Sequence, residues 1–150
     1  MTLAARRELL ARVLDALIPE GRGFPAAGAV ALDHVLARAA ASADLAARLS
    51  GVLDAVAAAA PDFAALSVEA REATLRRVEA SAPEAFEVLV QHTYDGYYAD
   101  AGIVERLGLD PRPPHPRGHP IDAEAPPDLS RVAARGALYR RAEGGAEADR

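Results

Sequence analysis

The sequence predicts an all-α fold: a small helical bundle of about five to six helices followed by an extended, Pro-rich C-terminal arm. Two observations carry the helices. Half of the residues are apolar, yet much of that share is alanine and only 5% are aromatic, which suits closely packed helices better than a thick sheet-built core. The large apolar residues recur at spacings of three, four and seven, the period of one helix face. A third observation sets the boundaries, because prolines and capping side chains fall between these runs.

The first helix carries Leu3, Leu10, Val13, Leu14, Leu17 and Ile18 on one face and is closed by Pro19. Glu20 to Pro25 contains two glycines and a second proline, so a connection precedes a second helix over about 25–40. Ser42 is a plausible N-cap for a third, along which Leu45, Leu49, Val52, Leu53 and Val56 repeat before Pro61. Gly51, in its middle, either weakens that helix or permits close packing. Ser67 caps a fourth helix containing Leu75 and Val78. Ser81-Ala82-Pro83-Glu84 then matches a capping box in which Glu84 reaches back to the Ser81 backbone. The fifth helix carries Phe86, Leu89, Val90, Tyr94, Tyr97 and Tyr98, and a short helical turn from Ile103 to Leu107 ends at Gly108.

From Asp110 to Pro127 lie seven of the eleven prolines, which excludes a continuous helix or a central strand. That segment is either a linker or an extended arm with polyproline character. Beyond it Ser130 caps a last short helix through Val132, Leu138 and Tyr139, before Gly144-Gly145 and a polar end. The resulting organisation is a helical domain over 1–109, a Pro-rich arm over 110–128, and a short helix with a frayed tail over 129–150.

All seventeen basic residues are Arg, against twenty-two acidic ones, and the net charge of −5 argues against nucleic acid as a partner. With no Cys, the chain has no thiolate for an iron–sulfur cluster, attached haem, disulfide or thiol nucleophile. Arg6-Arg7 stands near the N-terminus, but Arg12, Asp15 and Glu20 interrupt the apolar residues behind it, so no signal core is expected and the expected location is cytoplasmic. No run approaches the roughly 18 apolar residues of a membrane-spanning helix.

No GxGxxG, phosphate-binding loop or GxSxG motif is present, so no dinucleotide or triphosphate cradle and no catalytic residue is assigned. Proline blocks helical ligand geometry between His115 and His119, although an extended loop could offer both to zinc with Asp122. The structural reading, that His and Arg on a rigid arm serve an interface, is preferred, and no metal ligand is assigned. His34 is read as an ordinary helical side chain. His92 with Asp95 could form a proton-handling pair, but a nucleophile is lacking. The tyrosines have two readings: rings sealing the end of a bundle, or an interface, for which Tyr and Arg are favoured.

The order Leu17-Ile18-Pro19, Phe24-Pro25-Ala26-Ala27-Gly28-Ala29-Val30, Phe63-Ala64-Ala65-Leu66-Ser67, then Phe86 leading to Thr93-Tyr94-Asp95-Gly96-Tyr97-Tyr98, resembles the gluconate 2-dehydrogenase subunit 3 family. The resemblance covers about residues 3 to 120, closing on Gly108 and the Pro/Gly-containing arm. It implies a non-catalytic helical small subunit bound to a large flavoprotein of the glucose–methanol–choline (GMC) oxidoreductase type, which carries FAD and oxidises a sugar, glycoside or polyol. Such small subunits support folding, flavin loading or export of the partner, and many begin with a twin-arginine signal. Arg6-Arg7 lacks the apolar stretch of such a signal, which argues against an export role. Without Cys, any haem relay falls to a third electron-transfer subunit, or a soluble acceptor takes the electrons.

On this reading Tyr94, Tyr97, Tyr98, His115, Arg117 and His119 lie at the partner surface, and the chain itself holds no cofactor. Two other functions compete with it. A free-standing helical module would bind a small apolar ligand with the tyrosines lining its pocket. A metal-dependent hydrolase would be built on His115, His119 and Asp122.

Overall fold

The computed structural model describes residues 3–112 and 129–135. A 3₁₀ turn, Ala4–Arg6, leads into α1 (Arg7–Leu17); next come α2 (Ala27–Val30), α3 (Leu32–Ala41) and α4 (Ala43–Ala59). A second 3₁₀ turn, Phe63–Ala65, precedes α5 (Val68–Ser81), α6 (Pro83–Tyr98) and α7 (Ala101–Arg106). The described residues contain no strand, and the predicted all-α class holds. The chain divides into two units, residues 1–114 and 115–150. In the second, α8 (Ser130–Ala133) is a single turn with Leu129 and Val132 exposed. Its N-cap is Leu129; Ser130, expected to cap, is instead the first helical residue.

In the first unit, α1 contributes Leu10, Val13 and Leu14 to the core, and α4 contributes Leu49, Val52, Leu53 and Val56. Phe63, Leu75 and Val78 close it from α5 and the turn before it, and Phe86 and Leu89 from α6. Burying each such side chain stabilises by about 1.5–3 kcal/mol, so the bundle depends on these faces rather than on its surface ion pairs. Two expected caps are present: the Ser42 hydroxyl accepts from Leu45 N–H at 3.3 Å, and Ser67 accepts from Ala70 N–H at 3.3 Å. A third, unforeseen, is Asp100, whose Oδ1 accepts from Ile103 N–H at 3.1 Å and starts α7. At the other end of α7, Gly108 takes φ +76 while its N–H reaches Glu105 O and Leu109 N–H reaches Val104 O, a Schellman stop.

Two expectations fail for local reasons. The second helix does not run unbroken from Pro25: Ala26, with ψ 154, is the N-cap, and the axis breaks at Ala31 between α2 and α3. Hydrogen bonds from Ala31 N–H to Ala27 O and from Val35 N–H to Ala31 O carry the ladder across, so this is a bend and not a loop. Nor does Ser81-Ala82-Pro83-Glu84 form a capping box. Ser81 is the last residue of α5 and its hydroxyl donates back to Val78 O at 2.9 Å, so Ala82 becomes the cap of α6 without a side-chain bond. Pro83 at the first helical position dispenses with one of the N–H groups such a box would satisfy.

Gly51 is resolved in favour of weakening. It is exposed, and a Cβ built there meets nothing within 4 Å. Gly51→Ala is expected to stabilise the protein by about 0.5–1 kcal/mol, read as a rise of about 3 °C in Tm, because alanine loses less backbone entropy in a helix.

Candidate functional site

The apolar face of α6 determines which tyrosines remain available. Phe86, Leu89, Thr93 and Tyr97 succeed one another at spacings of three or four and all are buried, so Tyr97 belongs to the core stripe. Thr93 is accommodated by donating its hydroxyl to Leu89 O at 2.7 Å. Tyr94 and Tyr98 lie on the neighbouring stripe, 47% and 52% exposed. Their ring centroids are 6.0 Å apart, and the Tyr98 ring stands edge-on to Tyr97 at 5.4 Å and 85°. Tyr97 therefore does not present its ring at the surface; it supports Tyr98 from beneath. Its hydroxyl donates to Pro25 O at 2.7 Å, joining α6 to the connection ahead of α2. Burial raises the Tyr97 phenol above its ordinary pKa; Tyr98 and Asp100 add to the rise and Arg106 opposes it.

That connection is itself held firmly. Gly21 N–H donates to Phe24 O at 3.0 Å and Phe24 N–H to Gly21 O at 2.9 Å, closing a tight turn. Both central residues have positive φ, Arg22 at 51° and Gly23 at 84°, the mark of a type I′ turn. From α7, Arg106 Nη1 donates to Gly23 O at 2.6 Å. Ala27 N–H donates to Ile18 O at 3.0 Å, closing the base of the loop. The end of α6, α7 and the Gly21–Phe24 turn thus share one end of the bundle, where Leu107 and Leu109 are also exposed.

Two further contacts were not visible in the sequence. Gly28 N–H donates to Asp15 Oδ1 at 2.8 Å, so α1 supplies the cap that α2 lacks. Gly96 lies against His34 and Ala31, where a Cβ would come within 2.9 Å of His34 Cβ. His34 thereby acquires a packing role at the crossing of α3 and α6. His92 Nδ1 lies 3.9 Å from Asp95 Oδ2, beyond hydrogen-bond range, and is buried with no hydrogen-bond partner. The two side chains are near each other but share no hydrogen bond in this geometry. His115, Arg117, His119 and Asp122 lie outside the described residues. Among those described, no group of three His, Asp or Glu is placed to hold a metal, and no helix is long and apolar enough to cross a membrane.

Fold and surface together define a protein all-α among its described residues, in which Tyr97 belongs to the core while Tyr94 and Tyr98 form an exposed pair at one end. A family model described as Gluconate 2-dehydrogenase subunit 3 matches residues 4–111, and the chain belongs to that family. The family is named for one subunit of a dehydrogenase complex, which agrees with an accessory role. No curated protein and no solved structure matches the chain.

Proposed function

We propose that this chain is the non-catalytic small subunit of a GMC-type flavoprotein dehydrogenase, binding the large chain and stabilising it through folding and FAD loading. The partner carries the FAD and oxidises a sugar, glycoside or polyol. Membership of the family supports an association of this kind. The observation that carries the reading to particular residues is the Tyr94–Tyr98 pair, half exposed on a long helix and braced by buried Tyr97. Tyrosine gives a large, amphipathic contact area at low entropic cost, and such rings are favoured near interface centres. A ligand-binding module would enclose them, whereas here they face outward.

Co-expression with a candidate large flavoprotein chain of the GMC type tests the proposal. The large chain made alone is expected to be insoluble or flavin-poor, and this chain to restore both yield and flavin content. Tyr94→Ser with Tyr98→Ser is expected to leave the Tm of the free subunit within a few degrees and to weaken co-purification about tenfold or more. Normal flavin content without this chain would refute the stabilising role.

A further inference from the structure

We propose that the Gly21–Phe24 turn is a second docking element, in which Arg22 forms an ion pair with a carboxylate of the dehydrogenase chain; this rests on the accessory-subunit reading above. Arg22 is the one non-glycine described residue with positive φ, at 51°. A side chain in this left-handed region crowds the following carbonyl, and type I′ turns favour Asn or Gly at that position. Within the described residues Arg22 makes no hydrogen bond or ion pair that would offset the strain. Its side chain is exposed and contributes nothing to the core.

The turn is nevertheless tightly positioned. Two backbone bonds close it, Arg106 holds Gly23 O, and Tyr97 holds Pro25 O. Tyr97 also braces Tyr98, so one buried ring orients both the turn and the exposed tyrosine pair. An unpaired guanidinium carried on an anchored turn whose backbone is in the left-handed region, at the same end as exposed Tyr98, Leu107 and Leu109, has the form of an aromatic contact with a charged rim. The planar fork of arginine matches a carboxylate in two parallel hydrogen bonds, which identifies the chemistry expected on the facing surface.

The test separates a turn that is merely tolerated from one retained for binding. Arg22→Asn restores the Asn-Gly pair preferred by a type I′ turn, so the free subunit is expected to keep its Tm or gain about 3 °C. Affinity for the large flavoprotein chain that the wild-type subunit binds in co-expression is expected to fall about three- to tenfold at low salt, with the difference shrinking as salt screens the pair. Arg22→Lys is expected to retain part of the affinity, and Arg22→Glu to lose at least about tenfold. If Arg22→Asn and Arg22→Glu both bind as wild type while the Tyr94→Ser, Tyr98→Ser variant does not, the turn is excluded and the tyrosine surface stands. If the wild-type subunit does not bind the flavoprotein at all, both proposals fall.

Discussion

Gly28→Ala is expected to destabilise the protein by about 3 kcal/mol, lowering Tm by about 10 °C. A Cβ at this position would sit 2.5 Å from Ala11 O and 2.5 Å from Asp15 Oδ1. The carboxylate could swing aside, but Ala11 O belongs to the backbone of α1, so relief requires α1 and α2 to separate. Separation also breaks the 2.8 Å bond from Gly28 N–H to Asp15, leaving the start of α2 uncapped. Asp15→Ala isolates that second contribution and is expected to cost about 1 kcal/mol. Urea unfolding of the two variants distinguishes the effects. A loss for Gly28→Ala no larger than for Asp15→Ala would show that the helix contact gives way easily and that the close approach has little energetic weight.

Tyr97→Ala is expected to cost about 3–5 kcal/mol, the range for emptying an aromatic site in a core. Only 2% of Tyr97 is exposed, and its loss also leaves Pro25 O without its donor. Tyr97→Phe keeps the ring and removes only the hydroxyl, so about 1 kcal/mol is expected. The pair also separates in pH dependence. Burial holds the native phenol protonated to higher pH than the unfolded one, so its contribution is complete below the ordinary phenol pKa near 10.0 and is lost as pH rises through the elevated native value. Wild-type stability should therefore fall more steeply above about pH 10 than that of Tyr97→Phe. Parallel alkaline profiles for the two proteins would show that Tyr97 does not titrate differently on folding. Because Tyr97 braces Tyr98, Tyr97→Ala should weaken partner binding as well, indirectly and together with its effect on Tm.

These two positions show how far the sequence could be read. The spacing of Leu10, Val13 and Leu14, and of Leu49, Val52, Leu53 and Val56, specified buried faces that the structure retains. Ser42 and Ser67 were legible as caps because a cap is a local bond, spanning three residues. Ser81 misled for the same reason: its hydroxyl has equally local choices, and the carbonyl behind it prevailed over the helix ahead. The spacing of Phe86, Leu89, Thr93 and Tyr97 already held the signal that Tyr97 faces inward; grouping the three tyrosines by proximity in sequence obscured it.

The sequence by itself determined that this chain is helical, where most helices start and stop, and which family it belongs to, since periodicity, prolines and motif order are properties of neighbouring residues. Tertiary structure decided what each small or aromatic residue is for. Gly51 lies in open space, Gly28 against the backbone of α1 and Gly96 against His34, a difference that depends on which helix crosses there. The same holds at the exposed end of the bundle. Residues 72 positions apart meet in the Tyr97–Pro25 bond and residues 83 apart in the Arg106–Gly23 bond, and these contacts place the strained Arg22 turn at the same end as Tyr94 and Tyr98. No local pattern encodes such a meeting, because it arises from how whole helix faces pack to remove apolar surface from water.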